Sequence, residues 1–250
     1  MRPARKRLLD GIRGLTLLSM IAYHGMFDLV ELFGVQVSWF WETPGYVWQQ
    51  SICWSFILLS GFCLRLGRAP VRRGLVVSAC GLVITAVTFA FLPSERILFG
   101  ILTFTGAAML ITAWLSPFLK NIPAWAGLPG SALLFFLTRN VNGGFWGFGT
   151  LRLGAVPEGW YRGPVTTFLG FPEPGFFSGD YFSLVPWIFL YLCGYFLYGL
   201  LEKRETAQRI MARPAGPLEI VGRHSLPIYM LHQPALLAVL TAASRLTGAF

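Results

Sequence analysis

Long apolar stretches separated by short polar segments dominate the chain. A membrane-crossing helix needs roughly 20 mostly apolar residues, and about seven stretches approach that length. They lie near residues 12–33, 47–66, 74–92, 97–116, 123–138, 185–201 and 226–244. We therefore predict an all-α fold, a polytopic membrane helix bundle of about seven transmembrane helices. The fifth stretch is short, and the sequence does not decide whether it crosses the whole membrane.

The connections between these stretches are mostly short, with two exceptions. Residues 202–224 predict an amphipathic helix followed by a Pro/Gly turn. Residues 139–184 are rich in Gly, Pro and aromatic residues. Long loops are usually functional or disordered, and the aromatic content argues against disorder. We expect an ordered outer loop here, or alternatively an aromatic belt that only anchors the loop at the membrane interface.

Charged residues make up only 12% of the chain and hydrophobic residues 55%. Soluble domains carry about 25% charged residues. We therefore expect one integral-membrane domain over residues 1–250, with the lipid bilayer as its surroundings. The chain alone leaves the oligomeric state open, a homo-oligomer included.

The net charge of +9 is distributed unevenly. With a cytoplasmic amino terminus and seven alternating spans, fifteen of the 20 Lys and Arg residues lie inside; those outside are Arg96, Arg139, Arg152, Arg162 and Arg245. This bias satisfies the positive-inside rule and predicts that orientation. Most of the basic charge is thus explained by the orientation of the chain in the membrane, and we expect no nucleic-acid partner.

Two titratable residues interrupt the first apolar stretch, in "YHGMFDL". On a helix, His24 and Asp28 are four residues apart and share a face. Arg13 lies on nearly the same face, about 16 Å along the axis on the cytoplasmic side. Ionisable residues at bilayer depth are costly and face the bundle interior. His24 is therefore a candidate general base oriented by Asp28, or else both residues belong to an interhelical hydrogen-bond cluster.

The last apolar stretch carries a second polar stripe, in "GRHSLPIYMLHQP". Ser225, Tyr229 and His232 fall on one helical face, and Ser225 followed by Pro227 is typical of a helix start. A role at the start of the helix explains Ser225 but leaves Tyr229 and His232 unexplained. We expect His232 to contact substrate or handle protons, since intramembrane histidines are rare without a partner.

Two acidic residues near the ends of predicted spans have alternative roles. Asp10 is a candidate N-cap for the first span, or it pairs with Arg13 one turn on. Asp180 either caps the sixth span or lines the outer mouth.

Metal-ligand spacing, a Gly-rich phosphate loop and a serine nucleophile elbow are all missing from the sequence, so we expect no metal.

The segment "LDGIRGLTLLSMIAYHGMFDL" resembles the first span of the bacterial heparan-alpha-glucosaminide N-acetyltransferase catalytic-domain-like family. Two later segments, "GFPEPGFFSGDYFSLVPWIFLYLCGYFLYG" and "GRHSLPIYMLHQP", are similar to further blocks of that family. Asp10, Arg13 and His24 also match the wider transmembrane acyltransferase group. At one point the chain departs from the lysosomal member, whose catalytic histidine falls at the position of Val35. That enzyme's active-site detail and glycosaminoglycan substrate are therefore not carried over.

The resemblance implies transfer of an acyl group, first of all acetyl, from cytosolic acyl-CoA to a glycan, lipid-linked or other cell-envelope acceptor. It implies a bacterial plasma or inner membrane location. Arg13 and Arg223 would then hold acyl-CoA, and His232, Tyr229 and Asp180 would line the path of the acceptor. Asp10 would also bind substrate. A transporter or lipid flippase using the same polar stripes, and a non-catalytic membrane scaffold, are the alternatives.

Overall fold

The computed structural model describes residues 5–247 and is mostly helical, at 73%. The longer helices are α1 Arg7–Glu31, α2 Thr43–Leu64, α3 Pro70–Phe91, α4 Ile101–Leu119, α5 Ala124–Thr138, α7 Leu184–Leu201 and α10 Ser225–Thr247. The shorter elements are the strands β1 Phe145–Phe148 and β2 Leu151–Ala155 and the helices α6 Gly163–Leu169, α8 Glu205–Met211 and α9 Leu218–Arg223.

Within the described residues, five helices are long and apolar enough to cross a membrane: α2, α3, α4, α7 and α10. The first and fifth predicted spans do form helices, but neither is among these five. Helix α1 has 25 residues and carries several polar side chains, from Asp10 to Glu31, which lower its hydropathy. Helix α5 has 15 residues, about 22 Å of helix, which is shorter than the ~30 Å hydrocarbon core.

The chain forms two compact units, which divide within α2. The first contains residues up to 56 and from 204 onwards, and the second contains residues 57–203. In the first unit, an apolar core of Leu17, Met20 and Ile52 joins α1 to the start of α2. The indole N–H of Trp48 adds a 2.9 Å hydrogen bond to the Ser19 hydroxyl.

Helix α1 also packs closely against α9 in this first unit. A Cβ at Gly14 would overlap the Leu218 carbonyl oxygen, and one at Gly222 would overlap that of Asp10. The glycines of "LDGIRG" and "IVGR" are therefore needed for the two backbones to touch. This contact brings the segment that precedes α10 against the beginning of α1.

Small residues likewise allow close helix packing in the second unit. Gly74 and Gly81 of α3 lie directly against α4, and Gly106 of α4 lies against Ser78 of α3. Gly61 of α2 faces the Tyr191 carbonyl of α7, while Gly194 of α7 faces the Leu58 carbonyl of α2. Such interfaces are typical of membrane helices, in which close van der Waals packing replaces the hydrophobic driving force.

The segment 139–184, expected to be ordered, contains an antiparallel β1–β2 hairpin with a register shift at Trp146/Gly147, followed by α6. Its backbone is tied down by side chains. The Asn142 amide donates to the Gly170 carbonyl at 2.8 Å and to the Ser183 hydroxyl at 3.0 Å, and the Tyr181 hydroxyl donates to the Thr167 carbonyl.

Replacing Gly194 by Ala should push α7 away from α2, because the added methyl group would overlap the Leu58 carbonyl oxygen. Overpacking of this kind costs about 1–3 kcal/mol. We expect a lower thermal unfolding midpoint in detergent. Gly130→Ala is the matched control: a methyl group there meets nothing within 4 Å, so its midpoint should equal or slightly exceed that of the wild type, because Ala favours a helix more than Gly does. Equal midpoints for both variants would contradict the tight α2–α7 contact.

Candidate functional site

A cluster of polar side chains lies between α1 and α10 in the first unit. The imidazole rings of His24 and His232 have centroids 4.9 Å apart. The ring of Tyr229 lies 5.3 Å from that of His232 on the same helix. The structure thus brings together His24, Tyr229 and His232, which the sequence placed on two separate stripes.

Asp28 is fully buried, and its hydrogen bond crosses from α1 to α10. The side-chain amide of Gln233 donates to Asp28 Oδ1 at 2.7 Å. Sequence reasoning missed Gln233, although a signal was present. Gln233 is four residues beyond Tyr229, on the same helical face, and it is next to His232 in a mostly apolar helix.

Three polar atoms of this cluster are buried without a hydrogen-bond partner among residues 5–247: Asp28 Oδ2, His232 Nε2 and Gln233 Oε1. A buried polar atom left unpaired costs about 1–3 kcal/mol, so each unpaired atom needs an explanation such as a catalytic role. These atoms belong to neighbouring side chains on facing helices. They mark the place where a bound molecule would find hydrogen-bonding partners.

The beginning of α1 carries the predicted cationic group. Asp10 accepts hydrogen bonds from Arg5 at 2.8 Å and from Arg13 at 3.1 Å. The interpretation of Asp10 as an N-cap is wrong, because α1 begins at Arg7 with Lys6 as its N-cap, which places Asp10 inside the first turn. The alternative pairing of Asp10 with Arg13 is confirmed.

Glu219 of α9 organises the same end of α1. This buried carboxylate accepts hydrogen bonds from Arg7 at 2.9 Å, from Arg223 at 3.1 Å and from the Ala215 backbone at 2.8 Å. The hydrogen bond from Arg7, with the Ala215 backbone and nearby charges, holds the pKa of Glu219 below its ordinary value. Sequence reasoning also missed Glu219, whose only signal is its spacing of four residues from Arg223.

These contacts define an arginine cluster made of Arg5, Arg7, Arg13 and Arg223. Among the residues that the structure describes, its four guanidinium groups form ion pairs with two carboxylates, those of Asp10 and Glu219. The cluster therefore has an excess of positive charge. Arginine is the residue best suited to recognising phosphate groups, because its planar fork can bind two oxygens at once.

Asp180 belongs to the second compact unit, whereas the residues described above belong to the first. Its Oδ2 accepts a 3.0 Å hydrogen bond from the Ile101 backbone at the start of α4. It therefore does not cap the sixth predicted span, α7, which follows Ser183. Burial raises the pKa of Asp180 to about 6, and the Ile101 hydrogen bond opposes part of that rise.

The histidines, cysteines and carboxylates do not assemble into a metal site in the part of the chain that the structure describes. No group of three or more such side chains there is placed to hold an ion.

Membrane-length helices, with an imidazole–carboxylate cluster between one of them, α10, and α1, define the class: a multi-pass membrane protein with a polar site between two helices. The family model for "Heparan-alpha-glucosaminide N-acetyltransferase, catalytic" matches residues 5–234, and the chain belongs to this family. The resemblance found in the sequence is thereby confirmed, and membership implies an acetyltransferase-type enzyme. No curated protein and no solved structure matches the chain.

Proposed function

We propose that the protein transfers an acyl group, first of all acetyl, from cytosolic acyl-CoA to a glycan or other cell-envelope acceptor. The observation that carries this proposal is the arrangement along α1. One end of this helix lies in the arginine cluster, and the other holds His24 and Asp28 beside α10. Family membership supports the acetyltransferase class. The proposal includes seven crossings, a cytoplasmic amino terminus and a bacterial plasma or inner membrane.

The arginine cluster is the proposed site for the phosphate groups of acyl-CoA. Arg13 and Arg223 are its least exposed members, with 22% and 38% of their side chains accessible. Partial burial strengthens a charge–charge interaction by lowering the local dielectric. Asp10 contributes by holding Arg13 in place. Eleven residues of helix, about 16 Å, separate Arg13 from His24, and the extended arm of CoA would cover that distance.

His24 is the proposed general base of the transfer. It removes the proton from the nucleophilic O–H or N–H of the acceptor, which attacks the thioester carbonyl carbon. The new bond to the acyl carbon forms, the carbon–sulfur bond breaks, and CoA leaves as a thiolate. Asp28 lies one turn from His24 on the same helix face and stabilises the imidazolium that forms, as a carboxylate does beside a catalytic histidine.

The remaining predicted residues are proposed to contact the acceptor. Tyr229 and His232 lie in the cluster with His24. Asp180 is proposed to line the entry for the acceptor on the outer face, the side to which the positive-inside orientation assigns residues 139–184. Its raised pKa fits a partly neutral carboxyl near pH 6.

Purified protein in lipid vesicles should move radiolabelled acetyl groups from acetyl-CoA to components of a bacterial cell-envelope extract. His24→Asn removes the base but keeps a small polar side chain, so transfer should fall about 10²–10⁴-fold. Measuring labelled product and released CoA, with the thermal midpoint as the folding control, tests this directly. Full activity of His24→Asn would contradict the base assignment. Movement of substrate without any acetyl-CoA consumption would instead establish a transporter.

Arg13→Gln should weaken acetyl-CoA binding about 10–100-fold, because a charge-assisted hydrogen bond contributes about 1.5–3 kcal/mol. Isothermal titration of the purified protein measures this. Arg209→Gln is the matched control, since it removes the same charge from an exposed ion pair of α8 and should leave the affinity unchanged. Equal loss in both variants would show that only general charge attraction is at work, and would contradict a defined phosphate site.

A further inference from the structure

The imidazole of His232 is held in one tautomer by its own helix. Its Nδ1 lies within hydrogen-bond distance of the Tyr229 carbonyl oxygen. A carbonyl oxygen can only accept a hydrogen bond, so Nδ1 must carry the proton. The neutral ring therefore presents an unprotonated nitrogen, Nε2, which is buried and without a partner among the described residues.

A hydrogen-bonded Nδ1 is what prepares a histidine to act as a base at Nε2. In hydrolytic triads a carboxylate provides this contact, and a backbone carbonyl fixes the tautomer in the same way. When Nε2 takes up a proton, the Tyr229 carbonyl continues to accept from Nδ1 and stabilises the imidazolium. His232 is therefore already arranged to receive a proton.

The position of His232 is fixed by the neighbouring residue. Gln233 is bonded across to Asp28 at 2.7 Å, and the His232 ring lies 4.9 Å from that of His24. The Asp28 carboxylate and the His24 imidazole are thus two titratable groups of α1 that lie next to this part of α10.

We propose that Nε2 of His232 is a second proton acceptor in the acyl transfer, an inference that rests on the proposed function. The proton leaves the O–H or N–H of the acceptor as its bond to the acyl carbon forms and the carbon–sulfur bond breaks. It passes from His24 to Nε2 of His232 and then returns to the CoA thiolate, which completes the thiol product. His232 thus removes the proton from His24 and returns His24 to its unprotonated form during the acyl transfer.

A purely structural His232 would need only its Nδ1 contact, and this difference allows a sharp test. Asn in place of His232 keeps an N–H donor near the position of Nδ1 and lacks Nε2. His224→Asn is the matched control, because the exposed His224, directly after α9, makes the same kind of contact, at 2.9 Å to the Ile220 carbonyl. Both variants are assayed in vesicles for kcat, KM of acetyl-CoA and thermal midpoint.

We expect kcat of His232→Asn to fall about 10²-fold, with an unchanged KM for acetyl-CoA and thermal midpoint. His224→Asn should behave as the wild type. An active wild type with an equally active His232→Asn would overturn this inference and leave the proposed function standing. A wild type without any acyl transfer would overturn both.

The tautomer is measurable without activity, which keeps the inference testable even if His232→Asn fails to fold. The chain has only three histidines, so His24→Asn and His224→Asn suffice to assign the ¹⁵N imidazole signals. At about pH 8, above the ordinary imidazole pKa, Nδ1 of His232 should be protonated and Nε2 unprotonated. The opposite tautomer would overturn the inference.

Discussion

The hydrogen bond between Asp28 and Gln233 is the interaction on which the candidate site depends. A carboxylate buried among apolar side chains is costly, and residues of this kind are found where a specific partner offsets the cost. Here the partner is a carboxamide on α10 at 2.7 Å. The bond satisfies only one oxygen of Asp28, so it positions the two helices while leaving hydrogen-bonding capacity within the cluster.

The opposite end of α1 is held by a different kind of contact. Glycines at positions 14 and 222 let the backbones of α1 and α9 touch, and Glu219 then binds one arginine from each segment. Backbone contact fixes the distance, and the ion pairs fix which side chains meet there. A single helix, α1, therefore connects the arginine cluster to the imidazole pair of His24 and His232, and the proposed acyl transfer from CoA requires both.

The sequence was informative where the physical signal is local. Apolar runs predicted the long helices within a few residues, and helical spacing placed His24 and Asp28 on one face. The partners of those residues were harder to predict because tertiary packing decides them. Asp180 binds the start of α4, about 80 positions earlier in the chain, and no local pattern distinguishes that contact from capping α7.

Gln233 shows the same limit within the site itself. Its spacing from Tyr229 was visible in the sequence, yet a neutral amide draws less notice than a charged group in an apolar helix. Its importance follows only from the buried carboxylate opposite it. In the same way, the tautomer of His232 depends on a backbone carbonyl, which carries no residue-specific signal.

A double-mutant cycle of Asp28→Ala and Gln233→Ala, measured as free energy of unfolding in detergent, tests the central interaction most directly. If the bond joins α1 to α10, the two substitutions should be non-additive, with a coupling energy of about 0.6–1.7 kcal/mol, as for hydrogen bonds between membrane helices. Effects that add to within about 0.3 kcal/mol would show that the two side chains act independently, and would contradict the arrangement from which the function is argued.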